Sequence, residues 1–260
     1  MVKIIVSGVC GRMGSRIFNL AGEDKELQIV AGLEKKGHPD IGKELPGGVK
    51  ISSELEKIVH LTDVLIEFTT PEATLEHLEI VSKAKKAIVI GTTGFTEEEM
   101  NKIKKIAQNI PLVISPNMSV GVNLLFRLVK EVAGVIPDYD IEIIEAHHNQ
   151  KKDAPSGTAL KLAQIIAQEL NRDLGKVALY GRQGIVGPRK KDEIAIFALR
   201  AGDIVGEHNI IFATQGERIE LIHRAHSRDT FARGALRATK WVVKQPPGLY
   251  DMIDVLGLRR

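Results

Sequence analysis

A single cysteine and eleven aromatic residues (three Tyr, one Trp, seven Phe) are all that a chain of 260 residues contains of either kind. With Cys10 alone, an internal disulfide is excluded, and a reducing cytoplasm is the simplest compartment. So few rings leave Ile, Val, Leu and Ala to build the core, within a hydrophobic share of 43%. No apolar run approaches the ~20 residues of a membrane-spanning helix. The N-terminus passes at once into the β-branched run Ile4-Ile5-Val6, without the pattern of a signal or transit peptide. Nor does one sign of charge dominate: 36 basic and 33 acidic residues leave +3. Nucleic-acid and membrane partners need a concentrated basic patch, and none is evident. The basic runs at 83–86 and 189–191 read as solvated edges. A mildly positive balance suits small anionic ligands.

What is present is alternation. Short β-type runs at 3–7, 27–34, 64–68, 87–91 and 112–115 are separated by helical patterns at 14–21, 72–83 and 96–109. Thr96 followed by Glu99 is a capping-box signature. Strands alternating with helices argue for a parallel sheet covered on both faces. The pattern changes near residue 119. A helix at 122–136 leads to a strand at 141–146. A helix from 156 to 170 has Ala159, Leu162, Ala163, Ile166 and Leu170 on one face. A polar, glycine-bearing stretch, 180–191, precedes strands at 194–200, 208–214 and 218–226, which have no long helix between them and imply a mostly antiparallel or mixed sheet. A last helix, 230–244, ends before Pro246-Pro247. The expected class is α/β: a Rossmann-type doubly wound domain, then an α+β domain.

The first strand runs into Gly8-Val9-Cys10-Gly11-Arg12-Met13-Gly14 and a helix. Glycines let backbone approach a pyrophosphate, which the helix N-terminus attracts. The spacing G-x-x-G-x-x-G is less specific than G-x-G-x-x-G, and a plain glycine turn is the competing reading. Cys10 is a small spacer, since no activating partner is evident. Glu34 ends the second strand about 20 residues further on, where a carboxylate binds an adenosine ribose. Lys35 and Lys36 follow, placed to meet a 2′-phosphate. Glu34 favours NADH and the lysines favour NADPH, so use of both is expected. Gly91-Thr92-Thr93-Gly94 and Ser115-Pro116-Asn117-Met118 leave the carboxyl ends of later strands, where ligands of open α/β sheets lie.

The most informative stretch is Glu145-Ala146-His147-His148-Asn149-Gln150-Lys151-Lys152-Asp153-Ala154-Pro155-Ser156-Gly157-Thr158-Ala159. Ser156 is a good N-cap. The amides of Gly157 and Thr158 follow it in a first helical turn, where N–H groups lack helical partners. A carboxylate can dock there beside Lys151 and His148. Adjacent histidines also suggest a metal, but an i, i+1 pair with no spaced third ligand, among lysines, argues against one.

The blocks GVCGRMG, GTTGF, SVGVN, EAHHNQKKDAPSGTA and RAGDIVGEH, in this order and over nearly the whole chain, resemble those of the 4-hydroxy-tetrahydrodipicolinate reductase family. The block around His147 is the most specific. The resemblance implies a dinucleotide-binding domain at 1–119, a substrate-binding and oligomerisation domain at 120–228, and a segment at 229–260 returning to the first domain. It implies a cytoplasmic homotetramer that uses NADH, NADPH or both on a small dicarboxylate for diaminopimelate and lysine synthesis. It places His147 as proton donor and acceptor and Lys151 at the second proton-donating position. It puts His148, Ser156, Gly157 and Thr158 at the substrate. Gly8, Val9, Cys10, Gly11, Arg12, Met13, Glu34, Lys35, Gly91, Thr92, Thr93, Ser115, Pro116, Asn117 and Met118 fall at nucleotide-contacting positions. Thr70 stands where an arginine can help bind NADPH, Met118 where an aromatic lies beside the cofactor, and Asn149-Gln150 varies within the catalytic loop.

The chemistry expected is hydride transfer to a conjugated carbon of the substrate ring, with a proton to quench the charge. A histidine, with an ordinary pKa near about 6.5, is suited to supply that proton. A different imine or amino-acid reductase on the same plan, such as a relative of aspartate dehydrogenase, is the alternative enzyme. A nicotinamide-sensing module is the non-enzymatic one, but it has no need of His147 and Lys151 beside a carboxylate dock.

Overall fold

The computed structural model describes residues 1–259. The chain divides into two units, one comprising Met1–Val120 and the chain from Arg228 onward, the other Gly121–Ser227. In the first part, strands β1 (Val2–Ser7), β2 (Leu27–Leu33), β3 (Glu44–Leu45), β4 (Val49–Ser52), β5 (Val64–Glu67), β6 (Ala87–Ile90) and β7 (Pro111–Ile114) are interleaved with helices α1 (Gly14–Glu23), α2 (Leu55–Ile58), α3 (Pro71–Lys83) and α4 (Glu97–Ile106). Then come α5 (Val120–Val135), β8 (Asp140–His147), α6 (Gly157–Glu169), α7 (Leu174–Val177), β9 (Ala178–Leu179), β10 (Ile194–Arg200), β11 (Gly206–Thr214) and β12 (Glu217–Ala225). Helix α8 (Asp229–Val242), β13 (Gly248–Tyr250) and α9 (Met252–Val255) belong again to the first unit. No described helix is long and apolar enough to cross a membrane.

The first unit is built on a sheet of order β13-β7-β6-β5-β1-β2-β4-β3. Its pairs are parallel except β3 with β4. Successive residues of a strand face opposite ways. Ile4, Val6, Val64, Ile66 and Val89 pack with α1 and α8, while Ile5, Leu65, Ile88 and Ile90 pack with α3 and α4. Covering both faces is what makes runs such as Val64-Leu65-Ile66 continuously apolar. Thr96 and Glu99 form the reciprocal capping box at the start of α4. Helix α8 lies directly on the chain after β7, since a Cβ at Gly234 would fall 1.7 Å from the Met118 carbonyl oxygen.

The second unit has a five-stranded sheet of order β12-β11-β8-β10-β9. It is mixed: β8 pairs antiparallel with β11 and parallel with β10. Helices α5 and α6 cover one face, burying Phe126, Val129, Leu162 and Ile166 against Ile141, Ile143, Ile196, Ile210 and Phe212.

Several elements differ from the sequence reading. Residues 35–61 carry β3, β4 and α2 where no element is expected. Strands of two and four residues are too short to show a period. β13 exists by pairing with β7, a partner far away in sequence. His147 closes β8 and does not open the following loop.

Candidate active site

In the first unit the loop after β1 is shaped by its glycines. Gly8 has φ +70°, a conformation that L side chains rarely adopt. A Cβ on Gly14 would lie 2.0 Å from the Gly8 carbonyl oxygen, so α1 begins against the turn itself. Met13 at its N-cap makes no side-chain hydrogen bond, and its first turn holds no acid. An uncapped helix start with no protein anion fits a phosphate, so these residues suit a dinucleotide. The loop lies where the strand order reverses, between β1 and β5, the point at which such sheets bind ligands.

Glu34 is tied to this loop: its Oε1 accepts from the Cys10 amide at 2.8 Å and its Oε2 from the Lys35 amide at 3.3 Å. Lys35 is exposed. Desolvation, with Glu34 and Asp40 nearby, pushes the Cys10 thiol up to about 11. It therefore stays protonated at neutral pH and is no nucleophile. Cys10, His38 and Asp40 bring metal-competent atoms within 4.8 Å of one another. Asp40, however, is already paired with Lys43, and His38 Nδ1 accepts from the Asp40 amide at 3.2 Å.

Around the next strand ends the structure adds Glu67, Thr69, Thr74 and His77, which the sequence reading did not assign. The Thr92 hydroxyl accepts from the Thr69 amide at 3.1 Å and meets the Thr74 hydroxyl at 2.9 Å. Fully buried Glu67 takes the Thr69 hydroxyl and His77 Nδ1, the latter at 2.7 Å. Thr70 caps α3 by accepting from Ala73. Gly91 leaves room for the Phe68 ring, 2.1 Å from where its Cβ would be. Ser115 donates to the Asn117 carbonyl at 2.8 Å, and Asn117 Oδ1 accepts from the Ser119 amide at 2.9 Å. Thr93 and Pro116 are exposed, whereas Met118 is 2% exposed and packs in the core.

The second unit gathers its polar residues at one end of the helix-covered sheet face. Glu145 and His147 share that face by the strand period of two. Register adds Arg200 opposite His147 and His208 opposite Glu145. Glu145 is fully buried. Its Oε1 accepts from the Ser156 amide at 2.9 Å and Arg200 Nη2 at 2.8 Å; its Oε2 accepts from Arg200 Nη1 at 2.9 Å and lies 2.6 Å from His147 Nδ1. Burial alone would raise this carboxyl, but the hydrogen bonds from His147, Arg200 and Ser156 outweigh it and bring it down to about 2. His208 meets the Ser156 hydroxyl at 3.2 Å and packs edge-on to His147, with ring centres 5.4 Å apart. Burial, then the neighbouring His147 charge, push His208 down to about 3, so it is neutral at working pH.

Ser156 caps α6 by accepting from the Ala159 amide. Open space surrounds the Cβ position of Gly157 in the first turn. Lys151 forks onto both oxygens of Asp153 at 2.8 Å, and the Asp153 carbonyl accepts from Arg200 at 2.7 Å. His148 is half-buried beside this turn, its carbonyl accepting from the Lys151 amide. The structure thus joins His147 and Ser156 through one carboxylate and ties Lys151 to the same arginine. Glu145 stands in the stretch around His147, and Arg200 and His208 bound the RAGDIVGEH block, but none was assigned to the site from the sequence; strand register brings them to His147.

This arrangement offers a histidine held by a buried carboxylate, beside a capped helix start and a lysine: a proton donor next to an anion dock. Comparison with known proteins gives the family. A family model described as dihydrodipicolinate reductase, N-terminus, matches residues 2–118, and its C-terminus counterpart matches residues 121–256. The 4-hydroxy-tetrahydrodipicolinate reductase of Syntrophus aciditrophicus is 55% identical, with 100% of both chains covered. That of Syntrophobacter fumaroxidans is 51% identical with the same coverage. The solved structure of dipicolinate-bound dihydrodipicolinate reductase from Paenisporosarcina sp. TG-14 superposes with a TM-score of 0.81 at 27% identity, covering 98% of each chain. The chain belongs to the dihydrodipicolinate reductase family.

Proposed function

We propose that this chain reduces 4-hydroxy-tetrahydrodipicolinate to tetrahydrodipicolinate with a reduced pyridine nucleotide, on the diaminopimelate route to lysine. The observation that carries the reading is the single carboxylate of Glu145, which holds both the His147 ring and the Ser156 start of α6. A proton donor and an amide-lined anion dock are thereby fixed to one point.

Gly8, Val9, Cys10, Gly11, Arg12 and Met13 hold the pyrophosphate, and Glu34 the adenosine ribose. Gly91, Thr92, Thr93, Ser115, Pro116, Asn117 and Met118 border the nicotinamide end, Met118 through its backbone. When bound, the reduced nicotinamide supplies the hydride. Gly157 and Thr158 present first-turn amides to one substrate carboxylate, with Lys151 and His148 beside it. Each hydrogen bond to a charged group contributes about 1.5–3 kcal/mol. Lys151 leaves Asp153 to do so and offsets negative charge growing on the ring. His147 delivers the proton that neutralises it, a step that contributes about 10²–10⁴-fold.

Both NADH and NADPH serve: Glu34 favours the free ribose, while Lys35 attracts a 2′-phosphate. With Thr70 committed to capping α3, no arginine adds to that attraction at this position. The enzyme works in the cytoplasm, a reading supported by its lone cysteine. It assembles as a homotetramer through the second unit, supported by the uncovered face of the five-stranded sheet, where Leu199 and Ile222 are exposed.

The test is loss of reduced-nicotinamide absorbance with each cofactor and the product of the preceding synthase. Turnover is expected with both. His147→Gln should lower kcat by about 10²–10⁴-fold with NADH affinity unchanged. Normal turnover in that variant, or none in the unaltered enzyme, refutes the reading.

A further inference from the structure

We propose that Glu145, clamped by Arg200 and the Ser156 amide, is the positioning residue of this site: it takes the Nδ1 proton of His147, fixes one tautomer and one ring orientation, and leaves Nε2 as the atom that exchanges a proton with substrate. The inference rests on the reading of His147 as proton donor.

The donor inventory dictates the tautomer. An ionised carboxylate accepts only, at about four lone-pair sites. Glu145 meets four donors if Nδ1 carries its proton: Ser156 N–H, two Arg200 N–H groups and His147 Nδ1–H. With Nδ1 bare, a nitrogen lone pair would face a carboxylate oxygen at 2.6 Å. Nδ1 therefore donates, and Nε2 holds either a lone pair or the transferable proton. On the ring's other side, a Cβ at Gly206 would lie 3.1 Å from Nε2. The absent side chain keeps that nitrogen approachable. His208, on the same side, stays neutral and packs edge-on, which limits rotation of the ring.

The step balances. The imidazolium loses its Nε2 proton to the ring that has accepted hydride, and the histidine returns to the neutral Nδ1–H form. The charged groups around it are Glu145 on its own strand, Arg200 on β10, and Lys151 with Asp153 in the turn. Of these described groups, only Glu145 is hydrogen-bonded to the ring.

Glu145→Gln is the sharp perturbation, because each carboxylate oxygen faces two donors. An amide nitrogen must replace one oxygen, and His147 is the only neighbour able to turn from donor to acceptor. The amide then donates to Nδ1 and moves the neutral ring's proton to Nε2. Nitrogen-15 histidine spectra of the unaltered enzyme should show Nδ1–H in the neutral ring, and those of Glu145→Gln should show Nε2–H. The variant's kcat should fall about 10²-fold, and KM should stay within about threefold. Gly206→Ala should lower kcat with the tautomer intact. NADH affinity reports the first unit's fold in each case.

Nε2–H in the unaltered enzyme, or a Glu145→Gln variant with unchanged tautomer and kcat, overturns the proposal. If that variant does not fold, the unaltered enzyme's tautomer and the Gly206→Ala rate decide. An unaltered enzyme with Nδ1–H but no turnover would sink the proposed reaction and leave this assignment standing.

Discussion

Acid should weaken the second unit through one carboxylate more than through any other group there. Glu145 lies at about 2 in the folded chain against an ordinary 4.5. Its folded value is depressed, so its stabilisation is complete above 4.5 and is lost as pH falls towards 2. At about 1.4 kcal/mol per pH unit, the difference amounts to about 3 kcal/mol. That is a large part of a typical domain's 5–15 kcal/mol. Glu145→Gln removes the titrating group. Urea midpoints measured between pH 6 and pH 2 for both proteins isolate the effect, because Glu142 and Asp153, also held below their usual range by arginine and lysine partners, titrate in both. The unaltered protein should be the more stable at pH 6, since breaking a buried ion pair costs about 3–5 kcal/mol. The gap should narrow by roughly 3 kcal/mol by pH 2. Parallel curves would refute the reasoning, since they would mean that Glu145 titrates alike in the folded and unfolded chain.

Gly14→Ala puts a methyl 2.0 Å from the Gly8 carbonyl oxygen; it should cost about 1–3 kcal/mol of stability and weaken NADH at least about tenfold in a fluorescence titration. Lys35→Ala should raise the Kd for NADPH about threefold to fivefold, as expected for an exposed charge pair, and leave that for NADH unchanged; equal effects would remove Lys35 from the 2′-phosphate. Lys151→Met should raise the substrate KM about tenfold or more through loss of a charged hydrogen bond, and an unchanged KM would show that Asp153 is its only partner.

The doubly wound domain was legible because each of its longer elements carries a local pattern. Val64-Leu65-Ile66 reads as a buried strand on its own, and Thr96 with Glu99 marks a helix start without tertiary help. The glycine loop was legible for the same reason: Gly8 and Gly14 answer to constraints within a strand–turn–helix unit. Strands β3, β4 and β13 were not, because two to four residues hold no periodicity and gain their conformation from the neighbour they pair with. Met118 shows the opposite case, a position read at the cofactor whose side chain lies in the core.

Around His147 the division is sharper. Local order along the chain determined that His147, Lys151 and the Ser156 cap fall within one short stretch; that β8 runs on to His147, and so puts it on one face with Glu145, came from the structure. Only the tertiary structure decided that Arg200 and His208 join them, since β10 and β11 contribute these residues from far along the chain through strand register. Burial of Glu145 is likewise a property of the assembled sheet, because a carboxylate is desolvated by what packs over it. Sequence fixes which groups are available to the chemistry; packing fixes their protonation and aim.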